Sequence, residues 1–83
     1  MSGPEVYFIQ FYRQEPGDVG IDDIPVPSDQ DYEAVARKAL LGYLNNEIIA
    51  SPQRPHHAAV VTHDRFKTLL TLMATGPSTV EKV

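Results

Sequence analysis

Thr62-His63-Asp64-Arg65-Phe66-Lys67-Thr68-Leu69-Leu70-Thr71-Leu72-Met73-Ala74-Thr75-Gly76 is the stretch whose conformation sets the layout of the domain. Read as a helix, it is capped by Thr62 or Asp64. Phe66, Leu69, Leu70 and Met73 then form a stripe at steps of three, one and three, and Gly76-Pro77 ends it. Read as a hairpin, His63-Asp64-Arg65 turns and Lys67 to Met73 return as a strand. Thr68 and Thr71 favour the strand. The hairpin lacks the Gly or Asn that a tight turn prefers. The stripe and the missing turn residue together predict a helix over about 64–75.

Upstream, His57-Ala58-Ala59-Val60-Val61-Thr62 reads as a strand, and 51–55 as a loop or exposed turn. Before that, Glu47-Ile48-Ile49-Ala50 is a short apolar run, either a strand or a last helical turn. The segment from Ser28 to Asn46 reads as one amphipathic helix over about 28–45. Ser28 offers an N-cap hydroxyl after Pro27. Asp29, Asp31 and Glu33 suit the positive end of the helix dipole. Tyr32, Val35, Ala36, Ala39, Leu40, Tyr43 and Leu44 recur at three- and four-residue steps and so share a face. Glu33 and Arg37 are spaced for an ion pair on the other side. Asn45-Asn46 is a plausible stop, because Asn tolerates the left-handed conformation of a C-cap.

At the N-terminus, Glu5-Val6-Tyr7-Phe8-Ile9-Gln10-Phe11-Tyr12-Arg13 reads as a strand. Val6, Phe8 and Tyr12 point one way, and Tyr7, Ile9 and Phe11 the other. A strand apolar on both sides is expected to be central in its sheet and covered twice, or covered once by the helix and once by another subunit. Its aromatic rings could stack on nucleic-acid bases, but the Gly and basic residues of an RNA-binding sheet are absent, which favours core packing. Residues 14–27 form a loop with turn chemistry at Pro16-Gly17-Asp18 and a break at Gly20. Pro25 confines any strand over 21–26 to a sheet edge.

These elements predict an α+β fold. It is a small two-layer, single domain with a sheet of 2–4 short strands, one long helix (about 28–45) and a second helix (about 64–75). Residues 77–83 are expected to fray. The expected core is Val6, Phe8, Ile9, Phe11, Val35, Ala39, Leu40, Leu44, Val60, Phe66, Leu69, Leu70 and Met73.

A chain of 83 residues makes one domain, and at this size only about 60–65% of the unfolded chain's surface is buried. It has no cysteine, so neither disulfides nor a thiolate site. No apolar run approaches the about 20 residues of a membrane span, and the N-terminus lacks a signal-peptide pattern. A soluble, cytoplasmic protein without membrane contact is expected. A small domain without staples commonly gains stability by association, so a homodimer is also expected.

Charge is unevenly spread. Residues 1–33 carry eight acids against Arg13 alone, and residues 34–83 carry six basic residues against three acids. A solvated acidic loop explains most such blocks. The sharper reading is a surface for a basic protein partner, made of Glu15, Asp18, Asp22, Asp23, Asp29 and Asp31. The alternative is nucleic-acid binding through Arg37, Lys38, Arg54, Arg65 and Lys67, a short basic set for an acidic chain.

Chemistry-bearing patterns are sparse. Asp18, Asp22 and Asp23 lack the ligand spacing of a calcium loop. On an extended strand His57 and His63 would stand about 20 Å apart, too far for one metal ion. Thr62-His63-Asp64 has the residue types of a catalytic triad, but triad members converge in space rather than along adjacent positions. No metal site, cofactor or catalytic residue is expected, and the chain reads as a non-enzymatic interaction or regulatory protein.

Two resemblances bear on this. The run Ala36 to Leu41, then Ile48-Ile49, then Ala58 to Phe66, then Leu69-Leu70 resembles the helix, strand, strand, helix order of Phd/YefM antitoxins. Tyr32 to Leu44 resembles the helix of HicB-like antitoxins, which follows an N-terminal strand region. Both resemblances imply a small partner-binding, DNA-associated regulator without catalysis.

Overall fold

The computed structural model describes residues 5–45 and 54–83. Five strands and one helix follow in the order β1 (Val6–Tyr12), β2 (Ile24–Pro27), α1 (Tyr32–Leu44), β3 (His57–Val61), β4 (Thr68–Gly76) and β5 (Thr79–Lys82). The architecture is α+β, with one antiparallel sheet of order β2-β1-β3-β4-β5 and the helix packed on one face. The apolar run 47–50 and the second Asn of the expected helix stop lie outside the described residues.

The sheet is longer than the sequence predicts because 64–75 is not a helix. Thr62 to Lys67 form a turn, and Thr68–Gly76 returns alongside β3. The turn residue thought to be missing is Arg65, which adopts φ 65°. That left-handed conformation disfavours a residue with a Cβ, and several contacts hold it. The Arg65 N–H donates to Thr62 O at 2.8 Å, and the Thr62 N–H to Lys67 O at 2.9 Å. Asp64 Oδ1 accepts from the Thr62 hydroxyl at 2.6 Å and from the Phe66 N–H at 3.0 Å. Thr62 and Asp64, read as helix caps, are turn fasteners instead.

Strand alternation reassigns the apolar stripe. Leu70 and Leu72 face the core, while Phe66 at the turn is 92% exposed and Met73 is 39% exposed. Both had the spacing of core residues on a helix. The segment 77–83 also departs from its expected fraying. Pro77-Ser78 connect β4 to β5, Val80 is buried, and the Val83 N–H donates to Thr71 O at 2.9 Å. The Ser78 hydroxyl is 3.2 Å from the Asn45 side-chain oxygen at the end of α1.

The helix begins at Tyr32, one turn later than the sequence predicts, and its cap is Asp31, not Ser28. The Asp31 carboxylate accepts from the Ala34 N–H at 3.2 Å. The Ser28 N–H instead donates to Glu5 O at 2.6 Å, which fastens the end of β2 to β1. Asn45 closes the helix at φ −95°, not in the left-handed region. Ala36, Leu40 and Tyr43 bury their side chains against the sheet. Tyr32 meets Tyr7 edge-on at 5.5 Å, and Tyr43 meets Phe11 at 4.9 Å, both favourable ring geometries. Ile9, Val26, Val60, Leu72 and Val80 complete this layer, with Val19 and Ile21 from the acidic loop. The expected ion pair is present, with Arg37 at 3.3 Å from Glu33, and Lys82 joins it at 3.4 Å.

The turn gives a test in stability measurements. Leu72 is fully buried, so Leu72→Ala is expected to cost about 2–5 kcal/mol in chemical denaturation. Phe66→Ser is expected to change stability by no more than about 0.5 kcal/mol, as for most surface positions. A helix over 64–75 would bury Phe66 and make that substitution costly.

Candidate functional site

The acidic loop runs between β1 and α1, and its acids divide into two groups. Three are used by the fold. Asp18 Oδ1 accepts from the Arg13 N–H at 2.9 Å, and Oδ2 from the N–H groups of Gln14 at 2.8 Å and Glu15 at 3.2 Å. These bonds, the Arg13 N–H foremost, hold its carboxyl below the ordinary aspartate range. Asp23 Oδ2 pairs with Arg65 Nε at 2.9 Å, and Asp31 caps α1. Gly17 and Gly20, with φ 88° and 68°, supply the bends that side chains resist. The other three acids, Glu15, Asp22 and Asp29, are exposed. Asp22 adds to the rise of the Tyr43 hydroxyl pKa, which burial mainly causes.

The basic set does not gather on one surface. Arg37 is committed to Glu33 and to the Val80 carbonyl, which Nη1 meets at 2.6 Å. Lys38 is exposed on the helix side of the sheet, where it helps line a shallow groove of about 420 Å³ along α1. Arg65 lies on the opposite side, its guanidinium carbon 4.3 Å from the centre of the Phe8 ring. Lys67 is exposed in the β3–β4 turn, and the carbonyl of exposed Arg54 accepts from Arg13 Nη1 at 3.1 Å.

Ile9 and Phe11 pack under the helix, so the alternate residues of β1 point to the other face. There Phe8 pairs with Val61, Gln10 with Ala59 and Tyr12 with His57. Next to them, Thr71 faces Ala59 and Met73 faces His57. The Tyr12 and His57 rings stack at 4.7 Å and 6°. Burial raises the Tyr12 pKa, and His57 Nδ1 is buried without a hydrogen-bond partner. The helix lies on the other face, and Arg65 lies across the Phe8 corner of this one.

Each sheet edge carries a feature that hinders strand addition. The Ser28 N–H points at β1, so by alternation the backbones of Pro25 and Pro27 face outward, where they offer no N–H. On β5 the Val83 N–H points at β4, so Val80 and Lys82 face outward, and Arg37 occupies the Val80 carbonyl.

Among the described residues no three His, Asp or Glu side chains gather as metal ligands, and no helix is long and apolar enough to cross a membrane. No protein-family model, curated protein or solved structure matches the chain. The second helix of the Phd/YefM-like order is absent, because its apolar positions belong to β4.

The sequence flagged the acids but not their division of labour. Asp23 and Arg65 are 42 positions apart, and no local pattern announces their contact.

Hydrogen bonds to the charged forms of Asp18 and Asp64 give a pH test. For Asp64 the Thr62 hydroxyl dominates the downward shift. Each group favours the folded state above the unfolded aspartate value of about 3.9, and this contribution fades as pH falls through the lower folded value. A carboxyl NMR titration is expected to place both midpoints below that of a reference peptide containing a free aspartate. Asp18→Asn is expected to abolish the N–H shifts of Arg13 and Gln14 that follow this titration.

Proposed function

We propose that the protein acts by binding another protein, without catalysis, and that the acidic loop recognises a basic surface on that partner. The observation that carries this reading is the division among the loop acids. Asp18, Asp23 and Asp31 fasten the loop from within, and Glu15, Asp22 and Asp29 stand in solvent on the fastened backbone. A pre-ordered loop loses less conformational freedom on association than a floppy one. Its charge would raise the encounter rate with a basic partner and lose effect as salt rises. On this reading the protein works in the cytoplasm as a regulator or adaptor.

The test is affinity capture at low and high salt with three forms of the chain. Wild type is expected to retain a protein partner at low salt and release it at high salt. The triple variant Glu15→Gln, Asp22→Asn, Asp29→Asn is expected to lose that partner while keeping its fold by circular dichroism. Neutralising Lys38, Arg54 and Lys67 is expected to leave capture unchanged. Capture of nucleic acid that depends only on the basic set would replace this reading with the antitoxin-like, DNA-binding one.

A further inference from the structure

Resting on the reading that the partner is a basic protein, we infer that Phe66, in the β3–β4 turn, is the apolar anchor of the binding surface. It enters an apolar pocket on the partner, while Asp29 meets a basic side chain beside that pocket. Phe66 is 92% exposed, against 75% for Val83 and 39% for Met73. The fold therefore gains almost no burial from this ring.

Single apolar side chains on a surface are ordinary, but this one stands on fixed backbone. The Phe66 N–H donates to Asp64 Oδ1 at 3.0 Å, and the Lys67 N–H to the Thr62 hydroxyl at 3.2 Å. The Thr62 N–H closes the turn on Lys67 O at 2.9 Å. A side chain on backbone already in place loses less freedom on association. The flanking residues His63, Asp64, Arg65, Lys67 and Thr68 are all polar and exposed. An aromatic ring within a polar surround is the composition of a binding hot spot.

Strand register brings one loop acid to the same end of the sheet. Val6 pairs with Pro27 and Phe8 with Val61, in both cases antiparallel. The chain therefore leaves β2 and β3 in the same direction, β2 towards Asp29 and β3 towards Phe66. Glu15 follows Tyr12, where β1 leaves by the opposite end. Two to three strand spacings, about 10–14 Å, separate the departure points of Asp29 and the turn. A standard interface of about 800 Å² per partner is about 30 Å across and spans both. Arg65 adds a direct tie between turn and loop through its 2.9 Å contact to Asp23.

A protein pocket suits this tip better than a bilayer. Phe66 is the one apolar residue among 63–68, and anionic headgroups would repel Asp29 and Asp64. The acid that favours a basic protein surface thus disfavours a lipid one.

The test places a photoreactive ring in the turn. The full chain carrying Phe66→p-benzoylphenylalanine is irradiated in an extract of the cells that make it. One discrete protein adduct is expected, and excess wild type is expected to suppress it. Phe66→Ser and Asp29→Asn, each with an unchanged far-UV spectrum, are expected to compete at least about tenfold less well, as for a hot-spot residue. No adduct at position 66 overturns the anchor. So does an adduct that either variant suppresses as well as wild type does. Sedimentation with phosphatidylcholine vesicles that depends on Phe66 also overturns it and assigns the ring to lipid. In the salt-dependent capture, a partner kept by Phe66→Ser but lost by the triple acid variant defeats the anchor alone. A wild type that captures no protein defeats the acidic-loop reading with it.

Discussion

A left-handed arginine carries much of this architecture. Arg65 at φ 65° reverses the chain between β3 and β4, and without that reversal the sheet would end at β3. Its side chain offsets the conformational cost in three directions. It pairs with Asp23, donates from Nη1 to the carbonyl of His63 at 3.3 Å and covers the Phe8 ring. A cation over an aromatic face contributes about 0.5–1 kcal/mol at an exposed site, so the contacts together are of the same order as the strain of one left-handed residue, about 1–2 kcal/mol. The same side chain joins the turn to the acidic loop, so the geometry of one depends on the other.

Two different devices hinder strand pairing at the sheet edges. On β2 the hindrance is covalent, since proline nitrogen has no hydrogen to offer. On β5 it is electrostatic, because Arg37 reaches from the helix to the Val80 carbonyl while Glu33 steadies both Arg37 and Lys82. The ion pair foreseen from the four-residue spacing thus has a purpose beyond helix stability. It holds a cation in place over a backbone acceptor that another chain would otherwise use.

The helix and the first and third strands were legible in the sequence because their periodicity is long and unambiguous. Ile9, Phe11, Leu40 and Val60 stand in the core where their spacing placed them. The segment 62–76 was not legible, for a physical reason. Phe66, Leu69, Leu70 and Met73 satisfy a helical stripe while Leu70 and Leu72 satisfy a strand alternation, and the discriminating residue is an arginine in a conformation usually given to glycine. Val80 was missed because four residues between a proline turn and the end of the chain carry too short a pattern. Its burial comes from a neighbour, β4, that the helical reading did not provide. For the candidate site, the residue types of the loop were visible, but which acids serve the fold depends on contacts such as Asp23 to Arg65 that only tertiary structure supplies.

Sequence separation gives the sheet an internal order of assembly. The β3–β4–β5 meander joins neighbours through short turns, whereas Gln10 meets Ala59 only after 49 intervening steps of chain. Closing a longer loop costs more entropy before any contact rewards it, and topologies rich in such closures fold more slowly. The C-terminal meander therefore carries the smaller closure cost. Strand β1 carries the larger closure cost, and it sets Ile9 and Phe11 under the helix. The pairing of β1 with β3 is thus the costliest closure in the sheet, and the helix between them takes up thirteen residues of the intervening chain.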